Sequence, residues 1–283
     1  MLANGGFVID ELRICYIAEE KDLRQLNEVE VGGSVTMGNY TLYRIVNDRF
    51  GYCFEMCANG QQVAILKYGH HTDTDDWLVH VYYKVLNHIL YSADMLRELL
   101  RFPEEMGFVF NNFTAIDIAF DSTKNIPSLI KKLMRNKDIT TIINGKAVRE
   151  RKPVLKEIFF EYSTSLDRLK YPTITVYQKK ALENKNKGIT IQAYDKKAEI
   201  ENYSEKWYIL QYHGNPKRLY RLETRLPYQE IKDYFSNRQI VPAPATILAQ
   251  ETLADMFLYH LSSVIRFSDG RKKIQWKDLL NLQ

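Results

Sequence analysis

Three segments of this 283-residue chain alternate apolar and polar side chains with a period of two residues. This period is typical of a β-strand with one buried face, because successive side chains of a strand point to opposite faces of the sheet. The alternation constrains the fold more than any other feature of the chain. The segments are 114–121 (TAIDIAFD), 189–194 (ITIQAY) and 220–226 (YRLETRL).

Further strand-like runs, turns and helix signals surround these segments. Asn59-Gly60 between two strand-like runs indicates a β-hairpin, and Pro127 suits the first turn of a helix. Strands in hairpin-like succession, with helices between and after them, predict an α+β fold: an antiparallel β-sheet flanked by helices, with a helical C-terminal segment. The other predicted strands are 40–46, 52–57, 62–67, 77–83, 156–162 and 173–178, and the predicted helices are 93–100, 126–135, 228–235, 246–265 and 274–280.

The two ends of the chain and one internal run complete this prediction. Residues 1–39 are predicted to be irregular, apart from a short helix near 19–26. The Asn- and Lys-rich run 182–187 is predicted to be the exposed loop of a hairpin. We expect one main domain over residues 1–236 and a helical segment over 237–283 that packs on the same domain.

The composition indicates a globular protein. Hydrophobic residues make up 45% of the chain and charged residues 26%, which is the usual balance for a folded soluble domain. No apolar run approaches the roughly 18–20 residues that a membrane span needs. The first residues lack the basic and apolar regions of a signal peptide, and three cysteines are too few and odd in number for a disulfide framework. We therefore expect a cytoplasmic protein without a membrane partner.

The net charge of +4 hides an uneven distribution along the chain. Residues 122–232 contain 24 Lys and Arg against 12 Asp and Glu, a balance of +12, whereas the remainder contains 15 against 23, a balance of −8. A basic middle indicates a polyanionic partner, because phosphate binding depends largely on Lys and Arg. The 19 tyrosines favour unpaired nucleic acid, since aromatic faces stack on bases. A solvated lysine-rich surface is the alternative explanation of the charge.

The polar faces of the three segments carry groups suited to phosphodiester chemistry. Carboxylate oxygens are preferred ligands of Mg²⁺ and Mn²⁺, and an ion held by Asp117 and Glu223 would polarise a phosphodiester oxygen. Tyrosine is a weak nucleophile at neutral pH unless it is activated, and Lys196 and Lys197 would favour the phenolate of Tyr194. If the strands share one sheet, the residues that face one cleft are Asp117, Asp121, Tyr194, Arg221, Glu223 and Arg225.

Each of these residues also has a simpler explanation. An aspartate at the end of a strand is often solvated or caps a helix. Glu223 between two arginines is compatible with a surface charge ladder, and Tyr194 with an interface tyrosine. Only the combination of the three segments favours a reactive site.

The three segments, in this order, resemble a known family. The family is that of the trans-acting rolling-circle replication initiators of bacterial plasmids, with related nickases and relaxases of filamentous phage and integrative elements. It has an I-D-x-A-x-D strand, a hairpin ending in Y-[DEN]-K-x-x-E, and an R-x-E strand. The resemblance covers roughly residues 40 to 235, and the matching residues are Asp117, Asp121, Tyr194, Asp195, Lys196, Glu199, Arg221 and Glu223, with Tyr177 where the family usually has a second tyrosine.

The resemblance implies an enzyme that nicks DNA and transfers a strand at a replication or transfer origin, through a covalent 5′-phosphotyrosine. It implies an HUH-endonuclease-like sheet, with Tyr194 as nucleophile assisted by Lys196 and with Tyr177 as the alternative nucleophile. Asp117, Glu223 and Asp121 would bind Mg²⁺ or Mn²⁺. The residues expected to contact DNA are Arg221, Arg225, Lys197, Lys179 and Lys180.

The implied partners follow from this activity. The first is origin DNA, single-stranded at the nick site, and a host helicase and a second copy of the chain are further candidates. The alternative to an enzyme is a non-catalytic protein that binds single-stranded nucleic acid with the same scaffold.

Overall fold

The computed structural model describes residues 5–69, 78–148, 160–163, 173–184, 187–270 and 272–282. The chain divides into two compact units, each built from separate segments. The first, which we call the motif unit, consists of Met1–Ile9, Asp117–Tyr234 and Leu248–Gln283, and the second, the hairpin unit, consists of Asp10–Ile116 and Phe235–Ile247. The predicted boundary at 236 and 237 does not follow this division, although 248–283 does belong to the unit that holds the motifs.

Runs of consecutive antiparallel strands, with helices between and after them, confirm the α+β class. The strands are β1 (Gly6–Glu19), β2 (Ser34–Met37), β3 (Tyr40–Arg44), β4 (Tyr52–Ala58), β5 (Gln61–Tyr68), β6 (Leu78–Val85), β7 (Val109–Ser122), β8 (Ile139–Ile143), β9 (Lys146–Val148), β10 (Phe160–Ser163), β11 (Thr173–Tyr177), β12 (Thr190–Asp195), β13 (Tyr220–Pro227), β14 (Ile265–Asp269) and β15 (Lys272–Ile274). The α-helices are α1 (Arg24–Asn27), α2 (Ala93–Glu105), α3 (Ile126–Arg135), α4 (Lys179–Glu183), α5 (Lys196–Glu199), α6 (Trp207–Tyr212), α7 (Tyr228–Arg238), α8 (Gln250–Val264) and α9 (Trp276–Leu280). None of these described helices is both long and apolar enough to cross a membrane.

In the motif unit the predicted strands lie side by side, in the order β10-β11-β12-β13-β7. The pairs β10–β11, β11–β12 and β12–β13 are antiparallel. The register places polar residues of β11, β12 and β13 directly opposite one another, so that their side chains share one face. The three rows across these strands are Thr173–Tyr194–Arg221, Thr175–Gln192–Glu223 and Tyr177–Thr190–Arg225.

The opposite face of this sheet is apolar and covered by helices. Ile118, Ile191 and Leu222 are buried there, and α3 and α8 pack on the strands. Helix α3 has the predicted bounds because Asn125 caps it, accepting a hydrogen bond from the backbone N–H of Ser128 at 2.9 Å. Helices on the apolar face leave the polar side chains on the other one, which positions the candidate site.

A second, four-stranded sheet in the motif unit was not predicted. Its strand order is β15-β14-β8-β9, and β14 begins at Ile265, where the predicted helix 246–265 ends. The indole N–H of Trp276 donates to the carbonyl of Ile265 at 2.8 Å and so fastens α9 to this sheet. The strands are only three to five residues long, too short for a clear period in the sequence.

The hairpin unit contains the strand order β1-β6-β5-β4-β3-β2. Asn59 and Gly60 have positive φ angles of 50° and 78°, as a two-residue turn between β4 and β5 requires. This hairpin was predicted. Strand β1 was not, because Ile14, Cys15 and Tyr16 are consecutive and all buried, and a strand buried on both faces loses the period of two.

Two further predictions concern loops and the remaining strand. The predicted loop 182–187 was wrong in its first part, because α4 extends to Glu183, while residues 185 and 186 lie outside the described residues. The predicted strand 156–162 is described only from Phe160 onward, where it forms β10.

Candidate active site

The hydroxyl of Tyr194 lies against the carboxylate of Glu223 on the polar face of the sheet. It donates a hydrogen bond to Oε2 of Glu223 at 3.0 Å, and both residues are buried. The two residues are not directly opposed, since Tyr194 pairs with Arg221 and Glu223 pairs with Gln192. The long phenol side chain spans this diagonal. Tyr194 and Glu223 therefore lie close together, as the sequence predicted.

Arg225 joins Glu223 to Asp117. Its Nε lies 2.9 Å from Oε1 of Glu223 and 3.3 Å from Oδ2 of Asp117, while 54% of its side chain is exposed. Burial opposes the charged guanidinium, but the two carboxylates outweigh burial and raise the pKa of Arg225 above its ordinary value. Tyr194, Glu223, Arg225 and Asp117 thus form one connected set, which we call the Tyr194 cluster.

Asp121 and Arg221, on the same two strands, form a different arrangement. Nε and Nη2 of Arg221 bind Oδ1 and Oδ2 of Asp121, each at 2.7 Å, and Nε2 of His213 lies 2.9 Å from Oδ2. Both Asp121 and Arg221 are 0% exposed. Burial opposes the charged carboxylate of Asp121, but Arg221 and His213 outweigh burial and hold its pKa below the ordinary value.

This buried network corrects two predictions. Both carboxylate oxygens of Asp121 are engaged away from solvent, so Asp121 does not face an ion site beside Asp117 as expected. Arg221 is fully buried on Asp121 and does not face a DNA phosphate as expected. His213 was not predicted to take part, because it follows α6 and lies 92 residues from Asp121 in sequence.

The segment after Tyr194 is a helix start, as its sequence indicates. Asp195 caps α5 by accepting a hydrogen bond from the backbone N–H of Ala198 at 2.9 Å. Lys196 is only 2% exposed. Its Nζ lies 2.9 Å from Oε2 of Glu199 and 5.7 Å from the ring centroid of Tyr194. The charge of Lys196 therefore lies beside the phenol that it was predicted to activate.

Lys197 follows Lys196 but is more accessible. Its Nζ donates to the carbonyl of Pro216 at 3.4 Å, lies 3.8 Å from Glu201, and its side chain is 30% exposed. Lys197 is therefore partly exposed and already has two partners, and its role as a DNA contact stays a prediction.

The other predicted residues lie toward the far end of β11 and β12. Tyr177 is opposite Thr190, four residues from Tyr194, which is about 13 Å along a strand. Lys179 and Lys180 are exposed at the start of α4, and Lys180 Nζ lies 3.7 Å from Glu230. The structure therefore places Tyr177 in the row of Arg225, with Thr190 between them, but away from the row of Tyr194, and places Lys179 and Lys180 beyond the end of that strand.

The Tyr194 cluster offers two carboxylates for a divalent ion. Among the residues that the structure describes, no group of three or more His, Cys, Asp or Glu is arranged to hold a metal ion. Mg²⁺, however, is often bound by one or two carboxylates together with water and substrate phosphate, so Asp117 and Glu223 fit in type and number. The guanidinium of Arg225 now contacts both of them, and its exposure leaves it room to move away.

Comparisons with known protein families, with characterised proteins and with solved structures gave no significant match to this chain. The resemblance to the plasmid initiators therefore remains a prediction, and the geometry of the site carries the functional argument.

Proposed function

We propose that this chain is a DNA-nicking and strand-transfer enzyme that acts at a replication or transfer origin, with Tyr194 as its nucleophile and an HUH-endonuclease-like fold. The observation that supports this most is the 3.0 Å hydrogen bond from the Tyr194 hydroxyl to Glu223. A nucleophilic hydroxyl bonded to a potential base is the arrangement that covalent catalysis needs. The motif unit also contains 29 Lys and Arg against 19 Asp and Glu, a balance of +10 that suits a polyanion.

The reaction follows from these groups. The phenol oxygen of Tyr194 attacks the phosphorus of the scissile phosphodiester while its proton passes to Oε2 of Glu223. The bond from phosphorus to the 3′-oxygen breaks, and that oxygen takes a proton from water. The products are a 5′-phosphotyrosine and a free 3′-hydroxyl, and the reverse attack by a 3′-hydroxyl reseals a strand. No nucleotide cofactor is required, because the covalent link preserves the bond energy.

Positive charge must assist this step. Ordinary Glu and Tyr side chains have pKa values near 4.3 and 10, so proton transfer from phenol to carboxylate is unfavourable without help. Lys196 beside the ring favours the phenolate over the phenol. Arg225 on Glu223 stabilises the carboxylate and so opposes the transfer until its guanidinium turns to the phosphate. Arg225, half exposed, is also placed to contact the phosphate that approaches Tyr194.

A divalent ion would complete the charge balance. Asp117 and Glu223 are the residues that would hold Mg²⁺ or Mn²⁺, which would neutralise phosphate charge when bound. The two oxygens of Glu223 face different partners, since Oε2 accepts from Tyr194 and Oε1 lies next to Arg225. One oxygen of Glu223 therefore faces the phenol, and the other faces the cation side of the site.

One observation favours a second function, that of a non-catalytic protein for single-stranded nucleic acid. Tyr194 is only 8% exposed, and a buried phenol hydrogen-bonded to a carboxylate is also a stable structural contact. In that case the basic motif unit alone would bind the strand.

A covalent capture experiment separates the two functions. The protein is incubated with Mn²⁺ and a pool of random-sequence single strands that carry a label at the 3′ end, and is then run on a denaturing gel. Nicking predicts a labelled protein band that requires Mn²⁺ or Mg²⁺, is lost in Tyr194→Phe and persists in Tyr177→Phe. A band that persists in Tyr194→Phe would move the nucleophile elsewhere. Salt-sensitive binding without any band would favour the binding protein.

A further inference from the structure

Three large aromatic side chains are exposed in one short part of the motif unit. Tyr203, Trp207 and Tyr212 are 45%, 48% and 53% exposed. Large aromatic side chains gain most from burial, and grouped exposed ones mark an interaction surface more often than scattered ones do. We call these three residues the aromatic platform.

Two of the three platform residues, Trp207 and Tyr212, lie on an anchored helix. Helix α6 runs from Trp207 to Tyr212 and buries Ile209 and Leu210, while the opposite arc of the helix carries the exposed Trp207, Gln211 and Tyr212. Exposed rings on an anchored helix lose little conformational freedom when a ligand stacks on them.

The charge near the platform is positive. Lys217 and Arg218 are exposed, and Lys206 directly precedes Trp207. The acidic residues nearby in the sequence are Glu205 and Glu201, and Glu201 lies 3.8 Å from Lys197, which offsets its charge. Aromatic faces with interleaved cations are the combination that binds unpaired nucleic acid, because bases stack on the rings and phosphates meet the cations. A purely apolar protein partner would not need these cations.

The platform connects directly to the strands that carry the nucleophile. The ring of Tyr212 packs edge-on against His213, with centroids 4.9 Å apart. His213 binds Asp121, which holds Arg221, and Arg221 is directly opposite Tyr194 across β12 and β13. Three side chains, those of His213, Asp121 and Arg221, therefore link Tyr212 to the position opposite Tyr194.

We propose that Tyr203, Trp207 and Tyr212 stack on unpaired bases of the substrate strand, while Lys206, Lys217 and Arg218 bind its phosphates. This inference rests on the proposed function and identifies the surface that holds the strand beside the nick. Stacking on aromatic rings tolerates any sequence, since every base has a flat face. The platform thus supplies affinity for single strands, and sequence recognition is left to other residues.

The experiment measures binding without chemistry, in a Tyr194→Phe background. Fluorescence anisotropy with a labelled 20-nucleotide thymidine strand is compared with the same strand made of abasic sites, which keeps the phosphates and removes the bases. Trp207→Ala and Tyr212→Ala are each expected to weaken binding to the thymidine strand by about 5- to 150-fold. Both are expected to bind the abasic strand as the parent protein does, and Trp207→Phe is expected to restore most of the affinity.

A matched control is available in the same unit. Tyr228 is a 39% exposed tyrosine outside the platform, and Tyr228→Ala is expected to leave binding to both strands unchanged. Thermal unfolding of all variants checks that the fold is retained.

The outcomes distinguish this inference from the proposed function. Unchanged thymidine binding in Trp207→Ala and Tyr212→Ala, with a normal covalent band in the corresponding proteins that retain Tyr194, would overturn the platform and leave nicking intact. Loss of base-dependent binding in these variants, when no covalent band ever forms, would support the platform and reject nicking.

Discussion

The Tyr194 cluster and the Asp121–Arg221–His213 network contain the same residue types on the same strands but differ in their exposure to solvent. Each pairs an aspartate of β7 with an arginine of β13 on the same polar face. In the network both partners are fully buried, whereas the arginine of the Tyr194 cluster is 54% exposed. The two ion pairs are only four residues apart along their strands. The buried pair Asp121–Arg221 can only stabilise the fold, whereas the half-exposed Arg225 can exchange its partner.

The largest expected difference between the two is in stability. Arg221→Met leaves the charge of Asp121 buried without its main partner, which costs about 3–5 kcal/mol and lowers the melting temperature by roughly 6–20 °C. Arg225→Met removes a half-exposed guanidinium from Glu223, which is only 1% exposed but keeps the hydrogen bond from Tyr194, so we expect a smaller cost of about 1–3 kcal/mol. Thermal unfolding of the two variants measures this contrast. Equal losses would show that both pairs are structural.

The second difference is in chemistry. Glu223→Gln keeps an oxygen that accepts the Tyr194 hydrogen bond and removes the carboxylate that takes its proton. Loss of a general base lowers rates by about 10²–10⁴-fold, so the covalent band should form at least about 100-fold more slowly, with little change in melting temperature. The rate of band formation under excess DNA is the measurement. A rate within a few-fold of the parent would reject Glu223 as the base.

The sequence predicted the face that these two regions share, because period-two alternation alone places Asp117, Asp121, Arg221, Glu223 and Arg225 on one side of their strands. It did not predict which aspartate is buried. That depends on His213, which reaches Asp121 from the end of α6 and carries no periodic signal. The sequence therefore identified the components of the site, and the packing of a non-adjacent segment decided their roles.

The same limit applies to the fold. Pro127 and the Asn59-Gly60 turn are local signals, and the elements that they predict are present. Strand β1 has no such signal, because its central residues are buried on both faces. A strand that is covered on both faces shows no alternation of apolar and polar residues, so its own sequence does not reveal it. What covers it are segments distant in the chain.

A second buried histidine, His260, differs from His213 in its hydrogen bonding, because His213 has the carboxylate of Asp121 as a partner. His260 is 1% exposed, and neither of its ring nitrogens has a hydrogen-bond partner among the described residues. Its imidazole ring packs against the rings of Tyr234 and Tyr259. Burial lowers the pKa of His260 to about 4, although Asp233 and Asp255 raise it in part.

This shift predicts a pH-dependent stability. The unfolded chain binds a proton on this histidine near pH 6.5 and the folded chain only near pH 4, so stability is complete above pH 6.5 and falls as the pH drops toward 4. The loss attributable to His260 is about 3 kcal/mol at most. Denaturant unfolding at pH 7 and pH 5 should show a smaller loss in His260→Leu than in the parent. An identical loss in both would assign the acid sensitivity to other groups.

The smallest expected effect concerns the exchange of partners at Arg225. Because its guanidinium contacts both Asp117 and Glu223, a divalent ion must displace it from at least one carboxylate. Each pair made by the half-exposed guanidinium is worth about 0.2–1 kcal/mol, so Arg225→Ala should bind Mn²⁺ roughly 1.4- to 5-fold more tightly for each pair that the ion displaces, measured by calorimetry without DNA. Asp117→Asn should bind Mn²⁺ more weakly. Tighter Mn²⁺ binding together with a slower covalent step in Arg225→Ala would show that Arg225 releases Asp117 and Glu223 when the ion binds and then contacts the phosphate. Weaker Mn²⁺ binding would show instead that Arg225 holds the two carboxylates in place, as Arg221 holds Asp121.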